Sequence, residues 1–445
     1  MILHIWRYLL RTRLNSPRTQ FLFGEFVLDS NAGLFQDERL VHIPPKELAL
    51  LELLVKLQGQ VASHADIERQ LWPRQVVSYA TLAHCVYGLR RSLGTESKKY
   101  IETVPKRGYR LAVPVRKIES PQGESAIAQS ISRIPLALSH FLAGAREAND
   151  PRPAAQARSI LLFSEAAKAD PEFAAAHAAV ADTSMYQLIR GFILPQEGRE
   201  LGLQACTRAL DINPRLVQGL AAMGWFKGVM MKQFDAAHSS LDTALSIDPD
   251  YARGHMYRSW VYRCQAQPEA SIEAAKKAVD IDPHSLLNRH SYCWALFCGG
   301  ATEDALQVER VQQRDYPSDD IAQGYVAVFA AYHLQADEAL AACEIALELS
   351  TDVPAVSAAM AYVMARLGKV REARKLAKAA ESAAVPRAPR PMIAPAYLEL
   401  GEEQKALELL QEAHAEGCAW LQPAKLDPRL SRLASNPGFA ALFSR

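Results

Sequence analysis

The sequence predicts an α+β winged helix followed by an all-α tetratricopeptide (TPR) solenoid. Two observations predict it: short strands and three helices succeed one another before residue 115, and a 34-residue spacing repeats after residue 135. A chain of 445 residues also exceeds what one hydrophobic core usually organises. We expect an N-terminal tail (1–20), the winged-helix domain (21–115), a linker (116–134), the helical-repeat domain (135–420) and a C-terminal capping segment (421–445).

The first elements of the winged helix are strands, because FLFGEFVLD and ERLVHI alternate apolar with polar residues. Pro45 suits the first position of a helix, and Gly59 suits its left-handed exit. Ser63, three residues before Asp66, predicts the N-terminal cap of a second, short helix. Pro73 ends that helix, since proline cannot continue the hydrogen-bond ladder.

The third helix carries the predicted recognition face. Its apolar residues are spaced four, three and four apart and form one buried stripe: Leu82, Val86, Leu89 and Leu93. This stripe turns another set outward, where it can enter a major groove: Thr81, His84, Tyr87, Gly88 and Arg91. YIETV and YRLAVPV then alternate around the tight PKRG and predict a β-hairpin, with Lys106 and Arg107 at its tip and Arg110 on the return strand.

Charge is distributed unevenly along the chain. Residues 1–20 carry four arginines and no acid, residues 21–117 carry fourteen Lys and Arg against ten acids, and the remainder is net acidic. Between Arg74 and Lys117 ten basic residues stand against two acidic ones. Such a field favours double-stranded promoter DNA as a partner, because phosphate contacts supply the salt-sensitive part of affinity. The alternative is a solvated basic face on a winged helix that binds protein.

A repeat dominates the C-terminal part of the sequence. Five prolines are separated by 43, 35, 34 and 34 residues: Pro171, Pro214, Pro249, Pro283 and Pro317. A small residue stands twelve positions before each proline and another stands ten positions after it, as Gly202 and Gly224 do around Pro214. Paired small positions let the two helices of a hairpin approach closely. The period is that of TPR units.

Three tryptophans occupy one equivalent position, eleven residues after Pro214, Pro249 and Pro283. They are Trp225, Trp260 and Trp294, and we expect Arg253, Arg263 and His290 on the same side of the array. One interpretation is a concave groove that grips an apolar peptide helix or a flat small molecule. The other is packing, since large aromatic residues at helical spacing usually fill a core.

Several motifs resemble known families. PPKELALLELL, RRSLG and YIETVPKRGYRL resemble the OmpR/PhoB-type winged helix, and HIPPKE with CVYGLRRSL before a TPR array resembles the HilA-like activators of type III secretion and invasion loci. The resemblance implies a recognition face, a wing arginine and a loop that contacts RNA polymerase. These fall at Ala83, His84, Tyr87, Gly88 and Arg91, at Arg110, and at Arg74, Gln75 and Val76, respectively.

The implied function is sequence-specific DNA binding by a transcriptional regulator that activates type III secretion and virulence genes. The TPR domain would take a protein or small-molecule effector, and the chain would self-associate on paired sites. An antibiotic-pathway regulator with the same domain order is an alternative within this class. A TPR scaffold or adaptor without specific DNA binding is the alternative from another class.

Other classes find little support in the sequence. Seven cysteines without a CxxC pair indicate reduced thiols in a bacterial cytoplasm, and Cys293 and Cys298 lack paired metal-ligand spacing. We find no nucleotide-binding loop and no metalloprotease or hydrolase motif, so we expect neither an enzyme nor a cofactor. The apolar run of the opening MILHIWRYLLRTR is far below the roughly 18 residues of a membrane span, and we expect a loose tail there.

Overall fold

The computed structural model describes residues 19–24, 26–29, 33–36, 39–41, 43–71, 79–93, 99–105, 107–119, 132, 134–350 and 353–443. The chain divides into two compact units, Ile2–Gln129 and Ser130–Arg445. We describe each unit by itself. Residues 1–18 of the predicted tail (1–20) lie outside the described residues.

Two antiparallel sheets frame the N-terminal unit. Their strands are β1 (Thr19–Phe23), β2 (Phe26–Asp29), β3 (Gly33–Gln36), β4 (Arg39–Val41), β5 (Ala62–Ser63), β6 (Ile101–Val104), β7 (Gly108–Leu111) and β8 (Arg116–Glu119). The first sheet has the order β4-β3-β2-β1-β8, and the second has the order β5-β7-β6. Strand β8 occupies the start of the predicted linker. It escaped the sequence pattern because an edge strand is held by main-chain hydrogen bonds to β1 and needs no apolar alternation.

Three helices complete the winged helix: α1 (Pro45–Lys56), α2 (His64–Leu71) and α3 (Tyr79–Ser92). The predicted inward stripe of α3 is buried against α1, which packs on α3 through its own apolar face. The predicted cap of α2 is also confirmed. The backbone N–H of Asp66 donates to Ser63 Oγ at 3.1 Å, and the Ser63 N–H donates back to the Asp66 carboxylate at 3.3 Å.

The predicted β-hairpin is formed by β6 and β7, which pair from Ile101 opposite Leu111 to Val104 opposite Gly108. The Arg107 N–H donates to the Val104 carbonyl at 3.0 Å and closes the turn. Gly108 has φ +143°, and a Cβ there would lie 1.9 Å from the Ala62 carbonyl oxygen. Only glycine therefore lets β7 pair with β5 while the same strand packs on α1.

The described residues of the second unit form eight helix hairpins between residues 135 and 416. They are α4 (Pro135–Glu147) with α5 (Pro153–Ala169), α6 (Ala174–Arg190) with α7 (Pro195–Ile212), α8 (Val217–Trp225) with α9 (Phe234–Ile247), α10 (Ala252–Cys264) with α11 (Pro268–Ile281), α12 (Leu286–Cys298) with α13 (Thr302–Asp315), α14 (Asp320–Tyr332) with α15 (Ala336–Leu349), α16 (Pro354–Arg366) with α17 (Val370–Ser382), and α18 (Arg390–Glu399) with α19 (Glu403–Glu416). A π-helical turn, Phe226–Met230, extends α8. The first helices of successive hairpins also pack on one another, so the fold class predicted from the sequence is confirmed.

The paired small positions lie where the helices of each hairpin meet. Ser259 of α10 and Ser271 of α11 are both fully buried, and their hydroxyl oxygens lie 2.9 Å apart. A Cβ on Gly224 would lie 2.7 Å from the side chain of Leu241 on the partner helix. Gly202 of α7 lies at the contact with the next hairpin, because a Cβ there would lie 1.9 Å from the ring of Phe226, which follows α8. The periodic small residues therefore serve close helix packing, as the spacing predicts.

The last hairpin ends at Glu416, so the observed C-terminal segment begins at residue 417, four residues before the predicted boundary. It comprises α20 (Leu421–Ala424), a 3₁₀ helix (Pro428–Leu433) and α21 (Pro437–Ala441). The sequence predicts a cap on the last repeat, and α21 does pack on α19. The segment also crosses the inner side of the array, because α20 contacts α10. Trp420 Nε1–H donates to the Ile189 carbonyl at 2.8 Å, far back in the second hairpin.

Candidate functional site

The first candidate site is the exposed face of α3. Thr81, His84, Tyr87 and Arg91 are all exposed on it, at spacings of three, three and four residues. Tyr87 is 65% exposed, and among the described residues of this unit it is the one large hydrophobic side chain so open to solvent. The ten helical steps from Thr81 to Arg91 make this row about 15 Å long. An aromatic hydroxyl, an imidazole and a guanidinium thus stand in one line.

Two residues assigned to that face are placed differently. Ala83 and Gly88 are only partly exposed. Gly88 faces α1, where a Cβ would lie 2.8 Å from the Glu47 carboxylate oxygen. The expectation that Gly88 faces outward is therefore wrong. Gly88 lies at the contact between α1 and α3, and its lack of a side chain permits the close approach of the two helices.

Some basic residues around α3 are engaged in contacts within the domain, whereas others are exposed to solvent. The Arg90 guanidinium donates to the Ile101 carbonyl at 2.8 Å and to the Thr103 hydroxyl at 2.9 Å, so it fixes the wing against α3. Arg110 pairs with Glu102 on the opposite strand at 2.7 Å. Arg107 is exposed at the hairpin turn. Lys106 and the loop residues Arg74, Gln75 and Val76 lie outside the described residues.

The second candidate site is in the repeat domain, where the three predicted tryptophans separate. Trp225 is fully buried, with its ring centroid 6.2 Å from that of Trp260, and it does not line the cavity described next. Packing is therefore the correct interpretation for Trp225. Trp260 and Trp294 line a cavity on the inner side of the array, and Trp420 from the C-terminal segment closes over both rings at 5.0 and 5.7 Å.

The cavity has a volume of about 100 Å³. Helices α6, α10, α12, α14, α16 and α18 contribute its wall together with Trp420. The residues that line it and enter the argument below are Arg190, Arg263, His290, Asp320, Gly324 and Tyr325. Arg263 and His290 lie where the repeat register predicts.

Arg253 is a different case, because it lies away from the cavity. Its guanidinium pairs with Asp182 of α6, which also accepts the hydroxyl hydrogen bond of Tyr257. Arg253 therefore ties α10 to α6 and is a structural residue. The register placed it on the correct helix but not at the cavity.

His290 is held by acidic neighbours. Its Nδ1–H donates to Glu309 at 3.1 Å and its Nε2–H donates to Asp319 at 2.9 Å. Burial alone lowers the pKa of His290, but Glu309 and Asp319 outweigh it and raise the pKa to about 10. The imidazolium charge at neutral pH is thus balanced within the fold.

Trp420 is the cavity residue that the sequence pattern missed. It lies in no repeat, so the spacing that identified Trp260 and Trp294 gives no signal for it. Arg190 and Asp320 were missed too. They form a 2.7 Å ion pair between the second and sixth hairpins, and two such distant positions reveal a contact only once the superhelix is known.

Comparison with known proteins concerns mainly the N-terminal unit. Residues 37–111 match the family described as "Transcriptional regulatory protein, C terminal". The chain is 36% identical over 103 residues to the transcriptional regulator HilA of Salmonella typhimurium, covering 23% of this chain and 19% of HilA. It is 33% identical over 119 residues to the transcriptional activator CadC of Escherichia coli, covering 26% of this chain and 23% of CadC.

These matches confirm the predicted resemblance to OmpR/PhoB-type winged helices and to HilA. The chain spans about a fifth of the length of these curated relatives. The structure of yeast Tom70 matches 70% of this chain and 68% of its own, with 17% identity and a TM-score of 0.41. Among the described residues, every helix is too short or too polar to cross a membrane.

Proposed function

We propose that this chain, whose N-terminal unit is a winged helix of the OmpR/PhoB type, is a sequence-specific DNA-binding transcriptional regulator. The observation that carries the proposal is the exposed row of His84, Tyr87 and Arg91 beside a hairpin that bears Arg107 at its turn. A helix fits the major groove, which is about 12 Å wide, and a hairpin tip beside it reaches the neighbouring backbone.

Each residue has a distinct part in this proposal. Arg91 offers a planar fork that suits guanine or phosphate, whereas His84 and Tyr87 offer hydrogen bonds and contact with a thymine methyl group. Arg107 would contact phosphate and position the domain without reading sequence. Arg110 would have to exchange Glu102 for phosphate, so its contribution to affinity is reduced by the ion pair it loses.

The finer biological role extends the resemblance to HilA. We infer an activator of type III secretion and virulence genes in a bacterial cytoplasm, which contacts RNA polymerase through residues 74–76. The helical-repeat domain would receive the effector or a protein partner, and paired promoter sites would bring two copies together. Relatives that are transcriptional regulators, and not enzymes, support this reading.

The test is a gel-shift titration of the full chain on its own upstream region and on an unrelated duplex of equal length. The variant His84→Ala/Tyr87→Ala/Arg91→Ala should lose at least about tenfold of its preference, since one good base contact contributes roughly 1–3 kcal/mol of discrimination. Arg69→Ala is the matched control, because Arg69 is an exposed arginine on α2. Sequence preference that survives the triple substitution would refute the assigned face.

Salt dependence separates this function from the scaffold alternative. DNA binding through phosphate contacts should weaken steeply between 50 and 200 mM salt, by roughly 10³-fold for six contacts. A chain that uses its winged helix to bind protein should show little DNA affinity and little dependence on salt. A flat response would favour the scaffold.

A further inference from the structure

We propose that the cavity in the repeat domain binds a small organic carboxylate with an apolar or aromatic body, and that Arg263 is its anion-binding residue. This inference rests on the proposed function in one respect, namely that the repeat domain is the part that receives the effector. It names the chemical class of that effector and the residue that selects it.

Arg263 is an unpaired charge in the interior of the domain. It is 1% exposed, and its Nε, Nη1 and Nη2 atoms all lack a hydrogen-bond partner. Among the described residues no carboxylate forms an ion pair with it. The guanidinium makes a cation–π contact instead, since its central carbon lies 4.4 Å from the centroid of the Trp260 ring. A guanidinium has five N–H donors, and burying them without acceptors is costly unless a ligand supplies the acceptors.

The other cations at the cavity are already neutralised. Arg190 pairs with Asp320 at 2.7 Å, and His290 donates to both Glu309 and Asp319. Arg263 is therefore the cation of the cavity wall whose N–H donors no carboxylate of the described residues accepts. A carboxylate ligand would supply those acceptors, because its two oxygens match the fork of one guanidinium.

The rest of the wall determines the body of the ligand. Apolar side chains of Leu287, Ile321, Val356 and Met392 line the cavity. Trp294 and Tyr325 add aromatic faces, with ring centroids 5.4 Å apart. A phosphate group would bring about two charges and many acceptor atoms into this apolar space, where one arginine cannot satisfy them. A ring-sized acid suits a volume of about 100 Å³.

The experiment uses the full chain with benzoate and phenylacetate as probes, benzamide as their neutral counterpart, and inorganic phosphate. Binding is followed by calorimetry and by tryptophan fluorescence, since Trp260, Trp294 and Trp420 all line the cavity. We expect at least one carboxylate to bind with a 1:1 stoichiometry and to change the fluorescence. Benzamide and phosphate should bind at least tenfold more weakly.

Two variants locate the site. Arg263→Met keeps a flexible apolar side chain but removes the charge, so it should weaken carboxylate binding at least tenfold while the ligand-free melting temperature stays level or rises. Gly324→Leu places a side chain in the cavity while Arg263 itself is unchanged, and its Cβ has room, because Met360 Cε at 3.9 Å is the atom it would meet. It should fold and block binding. Arg314→Met is the matched control, since the Arg314 side chain is 75% exposed.

Four results would overturn the proposal: neither carboxylate binds at millimolar concentration, benzamide or phosphate binds as well as the acids, Arg263→Met binds like the unchanged chain, or Gly324→Leu does so. Gel shifts on the same preparations without ligand test DNA recognition separately. Loss of DNA preference with intact carboxylate binding would refute the proposed function alone, and the reverse would refute only this inference.

Discussion

His290 is a buried residue whose charge should control the stability of the repeat domain. Its pKa is raised to about 10, whereas an unfolded histidine titrates near 6.5. A group with a raised folded pKa stabilises fully below its unfolded pKa, and this stabilisation is lost as the pH rises from about 6.5 towards about 10. Between pH 6.5 and 8.5 we expect the free energy of unfolding to fall by on the order of 2 kcal/mol from this residue.

Urea unfolding of the full chain at pH 6.5, 7.5 and 8.5 measures this effect. Buried thiols whose pKa values are raised, such as Cys206 and Cys298, also lose stability towards pH 8.5, but they do so equally in the unchanged chain and in a His290 variant, so the comparison isolates His290. His290→Gln should reduce the slope of stability against pH, although it lowers the stability at pH 6.5. His284→Gln is the control, because His284 is exposed two residues before α12. An unchanged slope in His290→Gln would mean that another group dominates.

The sequence predicts some of the cavity residues but not all of them. Equivalent positions in the repeats identified Trp260, Trp294 and Arg263, because helical register fixes the direction in which a side chain points. The repeat register does not predict which other residues pack on that face. The burial of Trp225 in the core therefore could not be predicted from it, and Trp420, which belongs to no repeat, gave no periodic signal.

Successive helix hairpins pack closely where a small residue of one meets a ring of the next. A Cβ on Gly202 of α7 would lie within 1.9–2.6 Å of three ring atoms of Phe226. Because this ring is fully buried, it has little room to move. We expect Gly202→Ala to destabilise the repeat domain by about 1–3 kcal/mol, the usual cost of overpacking.

Thermal and urea unfolding of Gly202→Ala check this value against Gly324→Ala. The control adds the same methyl group to a helix at a place where the nearest described atom is Met360 Cε at 3.9 Å. It should be neutral or stabilise by up to about 1 kcal/mol, since alanine favours a helix over glycine. Equal effects of the two substitutions would show that the small position is not a packing requirement.

At the level of elements the sequence predicted most of the winged helix and all of the repeat period. Caps, proline and glycine marked the ends of α1 and α2, because those residues have definite backbone preferences. Strands β3 and β8 were missed. Both strands have four residues and are recruited by main-chain pairing, β3 between β2 and β4 and β8 at the edge beside β1, so their own side chains carry a weak signal.

The repeat domain as a whole is joined across its superhelix. The Arg387 N–H, between α17 and α18, donates to the Gly191 carbonyl at 2.8 Å, close to the Trp420 bond to Ile189. A Cβ on Gly191 would lie 1.9 Å from the Arg387 carbonyl oxygen, which shows how near the two segments are. Early and late hairpins therefore stabilise each other directly.

Trp420→Ala should loosen this junction. Removing a buried indole and its hydrogen bond costs about 3–5 kcal/mol in a well-packed site, so amide hydrogen exchange should quicken at residues 186–191 as well as near residue 420. Leu442→Ala is the control, because Leu442 is also buried in the C-terminal segment but follows α21. Exchange at 186–191 that is unaffected by Trp420→Ala would refute direct coupling.

The bond between Trp420 and Ile189 joins residues 231 positions apart in the sequence. Linear repeat proteins can assemble step by step as they emerge from the ribosome, each unit resting on the one before. Here the second hairpin lacks part of its final environment until Trp420 has been synthesised, 231 residues after Ile189. During translation the early repeats would therefore form an open superhelix first, and the cavity beside the tryptophans would close only after residue 420 has left the ribosome.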